Sequence, residues 1–123
     1  MLVWVVEDQR EVLNGVAALI EGRVAGAQVA GRFARGAEAV EAIARGERFD
    51  VALVDLGLPG IDGFEVARRI RAAADGASLY LVALTGYGGA DDAVRAQSAG
   101  FDRHLIKPTS VEELARVVSF QKP

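Results

Sequence analysis

The stretch Phe49-Asp50-Val51-Ala52-Leu53-Val54-Asp55-Leu56-Gly57-Leu58-Pro59-Gly60 constrains this chain more than any other, because an unbroken apolar run leads into the carboxylate of Asp55 and then a Gly/Pro turn. A run of this length bounded by turn residues reads as a strand buried on both faces. Such strands belong to parallel sheets, whose functional groups lie just past the strands' carboxyl ends. An aspartate after a strand also serves as an ordinary helix cap, so Asp55 alone does not establish a site. The other strand ends decide the matter.

Taken in order, Leu2–Val6 is a first buried strand ending in the acidic pair Glu7-Asp8. From Gln9 to about Ile20, Val12, Leu13, Val16, Leu19 and Ile20 recur at helical spacing. Ala27 to Phe33 is the weakest strand, expected near a sheet edge, and a short helix over Ala37–Arg45 faces inward through Val40 and Ile43. After the Val51–Val54 strand, Asp62 with Glu65 starts a helix whose buried stripe is Val66, Ala67 and Ile70 and which ends at Asp75-Gly76. Leu79–Leu84 is a continuous apolar strand running into the glycine-rich Thr85-Gly86-Tyr87-Gly88-Gly89 loop. The following helix, Ala90–Ala99, has Val94 as its only large aliphatic residue, so it should be weakly anchored and able to shift. Phe101–Ile106 is a last strand, ending at Lys107-Pro108. Ser110 and Glu113 then cap a final helix with Val111, Leu114, Ala115 and Val118 inward.

Strands alternating with helices at this spacing predict a single α/β domain over residues 1–123, with a parallel sheet covered on both faces by helices. The 51% apolar and 25% charged content is that of a globular chain, and no run approaches the roughly 20 apolar residues that cross a bilayer. Leu2–Val6 is followed by acid rather than a cleavage site, so no signal peptide is expected. The absence of cysteine suits a reducing, cytoplasmic setting, and the net charge of −3 argues against a nucleic-acid footprint. The expectation is a protein without membrane or nucleic-acid partners.

In such a sheet the residues after each strand line one edge, here Glu7, Asp8, Asp55, Thr85 and Lys107. Clustered carboxylates repel one another and recruit a proton or a cation. With oxygen ligands and neither His nor Cys close by in sequence, magnesium suits the set, with manganese able to substitute. A carboxylate can act as a nucleophile and form an acyl phosphate, Thr85 can donate to a phosphoryl oxygen, and Lys107 adds positive charge. Phosphoryl transfer needs mainly positioning and charge neutralisation. Each residue also has a plain structural reading: Glu7 and Asp8 as a solvated helix start, Thr85 as a turn residue.

Glu7-Asp8, the Asp55-Leu56-Gly57-Leu58-Pro59-Gly60-Ile61-Asp62-Gly63 stretch, Ala83-Leu84-Thr85-Gly86 and Lys107-Pro108, in this order and spacing, resemble the receiver domain of bacterial two-component response regulators. The resemblance covers essentially the whole chain. It implies the flavodoxin-like strand order 2-1-3-4-5, with the site where the winding reverses. It also implies that Asp55 takes a phosphoryl group from the phosphohistidine of a sensor histidine kinase or a histidine phosphotransfer domain. Asp8, Asp55 and the Gly57 carbonyl would bind magnesium, Glu7 would hold a magnesium-bound water, and Thr85 and Lys107 would contact the phosphoryl oxygens. The Lys107-Pro108 bond would be cis. Output would pass from Thr85 and the switch residue to a downstream protein, through the face made by the 90–99 helix, the 101–106 strand and the 110–119 helix. A homodimer is compatible with that face.

Two positions depart from the commonest family pattern. Gly86 replaces the usual alanine and keeps access to the site open, and His104 stands where the family usually has an aromatic switch residue. Gly57 and Tyr87 flank the expected path of an attacking water, so Tyr87 is expected to influence acyl phosphate lifetime. The Thr85-Gly86-Tyr87-Gly88 wording and the Gly100–Pro108 segment are also similar to the C-terminal receivers of hybrid histidine kinases, which leaves open excision from a larger kinase.

Two other classes compete with this reading. A nucleotide-binding or hydrolytic enzyme of the same fold is disfavoured, because Gly86-Tyr87-Gly88-Gly89-Ala90-Asp91 lacks the last glycine of a dinucleotide fingerprint and Gly57 stands where aspartyl-phosphate phosphatases carry a second acid. A phosphorylation-independent interaction module would leave the acids and the lysine idle. At most slow self-phosphorylation and self-dephosphorylation are expected, rather than enzymatic turnover.

Overall fold

The computed structural model describes residues 1–73, 79–86 and 90–119. Its elements run β1 (Leu2–Val6), α1 (Arg10–Arg23), β2 (Gln28–Phe33), α2 (Gly36–Ala44), β3 (Val51–Asp55), α3 (Gly63–Ala73), β4 (Tyr80–Thr85), α4 (Ala90–Ala99), β5 (Arg103–Ile106) and α5 (Val111–Ser119). The strands form one five-stranded sheet in the order β2-β1-β3-β4-β5, and every pairing is parallel. This is the flavodoxin-like order that the resemblance implied.

Strand alternation divides the core into two layers. Val3, Val5, Val51, Leu53, Val82, Leu84 and Leu105 point to the face covered by α1 and α5, where Leu13, Ala17, Ile20, Leu114, Val117 and Val118 meet them. Trp4, Val6, Ala52, Val54, Leu81 and Ala83 point to the opposite face, under α2, α3 and α4. A strand that must be apolar on both sides reads as a continuous run rather than an alternating one. That is why β1, β3 and β4 are plain in the sequence.

β2 is an edge strand, as expected, and its sequence is weak for a visible reason. The register with β1 shifts between Val3 and Trp4, so that Val3 pairs with Val29 but Trp4 with Gly31. The Trp4 ring packs against Phe33 and Phe49 with centroids 4.8 and 4.9 Å away. A Cβ on Gly31 would come within 2.7 Å of both Trp4 and Phe33. Gly31 is thus set by the indole beside it.

The helices differ from expectation in which residues face inward. Val12, Val16 and Leu19 are half-buried flanks of α1, and its fully buried line includes Ala17. α2 buries Ala39 and Ala42 beside Ile43, with Val40 partly covered. In α4 the buried residues are Ala96 and Ala99, whereas Val94 is 63% exposed. Burying a large side chain is worth about 1.5–3 kcal/mol and a single carbon only about 0.8. α3, which buries Phe64, Val66 and Ile70, is therefore held far more firmly than α4. β5 begins at Arg103, so Phe101 precedes it as a buried plug rather than a strand residue. The Asp75-Gly76 end assigned to α3 lies outside the described residues.

Candidate functional site

The site is assembled from strand ends. Glu7 follows β1 and stays in line with the sheet, its N–H donating to the Phe33 carbonyl at 2.9 Å. Its side chain is only 1% exposed, so a solvated helix start does not describe it. Oε2 accepts the Gln9 N–H at 3.0 Å, serving the entry to α1, which has no side-chain cap from Gln9. Oε1 accepts Lys107 Nζ at 2.6 Å. Asp8, the next residue, is exposed.

Asp55 is the last residue of β3, one position further than the expected strand end, and is buried. Its Oδ1 accepts the Gly57 N–H at 3.1 Å and lies 3.2 Å from Lys107 Nζ. Asp55 pairs with Leu84, and the Leu56 N–H donates to the Leu84 carbonyl at 2.8 Å, so buried Thr85 stands one step beyond Asp55 on the neighbouring strand. The Lys107 N–H in turn donates to the Thr85 carbonyl at 2.7 Å. The Lys107-Pro108 peptide is cis.

Each of Glu7, Asp8 and Asp55 offers a carboxylate oxygen within 4.8 Å of the others. Burial pushes the Glu7 carboxyl above the usual carboxylate range, opposed by the hydrogen bonds from Lys107 and Gln9 and reinforced by the charge of Asp55. For the Lys107 ammonium, burial works downward but is outweighed by the hydrogen bond to Glu7 and the charges of Asp55 and Glu7. The net shift is upward. Three acids facing one ammonium leave negative charge uncompensated, and hard oxygen donors of this kind suit a hard divalent cation. The donor set fits such an ion.

The glycines around Asp55 have different duties. A Cβ on Gly57 would meet only Asp55 Oδ1, at 3.8 Å, and one on Gly86 would meet none of the described residues within 4 Å. Gly63 is different, because a Cβ there would collide with the Asp55 carbonyl and the Leu56 Cα. Its N–H donates to the Leu56 carbonyl at 3.2 Å, closing the loop that leaves the site. Gly63 is in the sequence motif, but its role is visible only once α3 is seen to abut the backbone of Asp55.

His104 sits on β5 opposite Ala83, half-buried and apart from the acid cluster. Its Nε2 is buried without a hydrogen-bond partner among the described residues. The ring lines a cleft of about 500 Å³ toward α4 and another of about 200 Å³ toward α5. Tyr87 lies outside the described residues. Sequence reasoning also missed Arg71, which donates to the Gly100 and Leu79 carbonyls and to Asp102 Oδ2, because nothing local marks an arginine on α3 as a clamp for the turn before β5.

The profile of the response regulator receiver domain matches residues 3–119. The chain belongs to that family. This receiver domain is 30% identical over 108 residues to the uncharacterized transcriptional regulatory protein YesN of Bacillus subtilis, covering 88% of the chain and 28% of YesN. It is 42% identical over 83 residues to the virulence sensor protein BvgS of Bordetella pertussis (63% of this chain, 7% of BvgS). The two-component response regulator PhoP of Pseudomonas aeruginosa is 38% identical over 79 residues, covering 63% of this chain and 34% of PhoP. The receiver domain thus spans between 7% and 34% of the length of these relatives.

Among solved structures, the signal receiver domain of a modulated diguanylate cyclase from Desulfovibrio desulfuricans superposes with a TM-score of 0.81 at 32% identity, covering 96% of this chain and 90% of that one. A CheY-like receiver domain protein from Methanospirillum hungatei gives 0.83 at 24% identity, over 96% and 90% of the two chains, a likeness of fold. The chain is a receiver domain of two-component systems, a signalling domain. None of the helices among the described residues is long and apolar enough to cross a membrane.

Proposed function

We propose that Asp55 is the phosphoacceptor of this receiver domain and takes its phosphoryl group from a phosphohistidine on a sensor histidine kinase or a histidine phosphotransfer domain. The observation that carries this reading is the meeting of Glu7, Asp8 and Asp55 oxygens within 4.8 Å with Lys107 Nζ 3.2 Å from Asp55. An Asp55 carboxylate oxygen attacks phosphorus, the new P–O bond forms as the P–N bond breaks, and the imidazole leaves with its electron pair and takes up a proton.

Asp8, Asp55 and the Gly57 carbonyl would hold a magnesium ion, or manganese in its place, with Glu7 bound to one of its waters. The ion supplies charge neutralisation at the phosphoryl oxygens. Lys107 then turns its charge from the acids to a phosphoryl oxygen, and the Thr85 hydroxyl donates to another. The space beside Gly57, where a Cβ would meet only Asp55 Oδ1 at 3.8 Å, admits the donor and later water, and Gly86 and Tyr87 set access from the other side. Output follows from movement of Thr85 and His104 and is read by a protein partner, or a second copy, on the α4-β5-α5 face, where Val94 and Ile106 are 63% and 50% exposed.

Incubation with acetyl phosphate and magnesium, read by intact mass, should give one phosphoryl adduct on the wild type and none on Asp55→Asn. An adduct that persists in the variant overturns the assignment.

A further inference from the structure

α4 is fastened unequally along its length. At its C-terminal end the turn into β5 passes through Gly100 at φ +115, and Arg71 grips that turn. Arg71 Nε and Nη2 donate to the Gly100 carbonyl at 3.0 and 2.8 Å, and Nη2 also reaches Asp102 Oδ2 at 2.8 Å. Asp102 Oδ2 accepts the Leu81 N–H of β4 at 2.8 Å, and Phe101 is buried beneath the turn. This end is a fixed pivot.

The buried residues of α4 are Ala96 and, next to the pivot, Ala99, and a cleft of about 500 Å³ opens between the helix and β5 beside His104. Among the described residues, one side-chain contact also ties α4 to α3. The Arg95 guanidinium lies 4.1 Å from the centroid of the Phe64 ring, within cation–π range, and Asp92 stands 4.0 Å from Arg95 on the same helix. Phe64 is buried in the first turn of α3, adjoining Gly63, the residue wedged against the Asp55 carbonyl and Leu56. Arg95 therefore rests on the segment that leaves the phosphoacceptor strand. Lys107 Nζ lies 2.6 Å from Glu7 Oε1 and 3.2 Å from Asp55 Oδ1, so in this arrangement its charge is shared between the two acids.

We propose that Arg95 seated on Phe64 is a latch that holds α4 in its unphosphorylated position, and that phosphorylation of Asp55 opens it. The inference deepens the proposed function and rests on Asp55 as phosphoacceptor. Arg95 is a positioning residue, since it touches neither phosphoryl group nor metal. A contact made in one of two positions biases their equilibrium, and by linkage it opposes any ligand that favours the other. Removing an exposed cation–π contact should therefore tighten binding of a phosphoryl mimic by about two- to fivefold.

The test measures half-saturation of magnesium-dependent beryllofluoride binding in wild type, Arg95→Ala and Arg95→Lys, with Asp55→Asn as the blank. It is paired with amide hydrogen exchange across α4 in the ligand-free proteins. Arg95→Ala should lower the half-saturation concentration about two- to fivefold and speed exchange in α4. Arg95→Lys, which keeps a cation, should move both less. Alanine raises helix propensity, so faster exchange would not reflect a weaker helix. Unchanged exchange, or a half-saturation that is unchanged or raised, overturns the latch. If wild type takes up no beryllofluoride at Asp55, the phosphoacceptor reading falls and opening by phosphorylation falls with it, whereas unchanged exchange in Arg95→Ala with normal uptake overturns the latch alone.

Discussion

Lys107 Nζ lies 2.6 Å from Glu7 Oε1, so two residues a hundred positions apart form the tightest ion pair of the site, with Asp55 Oδ1 at 3.2 Å from the same ammonium. Glu7 is almost wholly buried and its other oxygen serves the start of α1. Removing the lysine would leave a buried carboxylate without its cation.

Lys107→Ala is accordingly expected to lower stability by about 1–3 kcal/mol in metal-free buffer near pH 8. The loss should shrink on acidification, because a protonated Glu7 no longer needs the cation. Urea unfolding at several pH values checks it. A cost that does not change between pH 8 and pH 4 would argue against Glu7 as the partner that matters.

The pH dependence of the metal-free protein has a defined sign. Burial raises the Glu7 pKa above its ordinary 4.5, so the folded chain holds that proton more tightly than the unfolded chain. The Glu7 contribution is fully present below pH 4.5 and is lost as pH rises through the folded-state value. Glu7→Gln removes this dependence, so its stability relative to wild type should rise with pH over that window. Lys107, also raised, contributes below pH 10.5 and loses that contribution as pH rises through its folded-state value. Urea midpoints from pH 4 to 8 for both proteins decide the first statement.

Divalent cation should stabilise the wild type by mass action, by about 2.7 kcal/mol at a hundredfold excess over Kd. Asp8→Asn should lose most of that gain while leaving the metal-free protein as stable or more so, since an exposed acid is withdrawn from a repelling cluster. Thermal unfolding with and without magnesium is the measurement. An undiminished shift in Asp8→Asn would remove Asp8 from the cation site.

Gly63 and Gly57 should respond oppositely to the same small change. Gly63→Ala places a methyl group against the Asp55 carbonyl and Leu56 Cα, backbone atoms that cannot rotate away, and should cost about 1–3 kcal/mol and slow phosphorylation. Gly57→Ala meets only Asp55 Oδ1 at 3.8 Å and should stay within about 0.5 kcal/mol of wild type. Equal destabilisation of the two variants would contradict the close approach at Gly63.

The legible parts of the chain were those with strong local signals. β1, β3 and β4 are unbroken apolar runs because both faces of each are covered, and Asp62 and Ser110 cap α3 and α5 through the Glu65 and Glu113 N–H groups at 2.9 and 3.1 Å. Inward helix faces were less legible wherever alanine makes them. Ala17, Ala39, Ala42, Ala96 and Ala99 carry little hydrophobic signal, and Val94, the most apolar residue of α4, points outward.

By itself the sequence determined the alternation of strands and helices and which acids, threonine and lysine end the strands, since these follow from local periodicity and turn chemistry. Only the tertiary structure decided that Glu7 is buried and divided between Gln9 and Lys107. It also decided that Gly63 abuts the backbone of Asp55, that Arg71 anchors the turn before β5, and that Arg95 rests on Phe64. Each of these joins residues distant in the chain, and their energies depend on burial and approach distance, which no local window of residues contains.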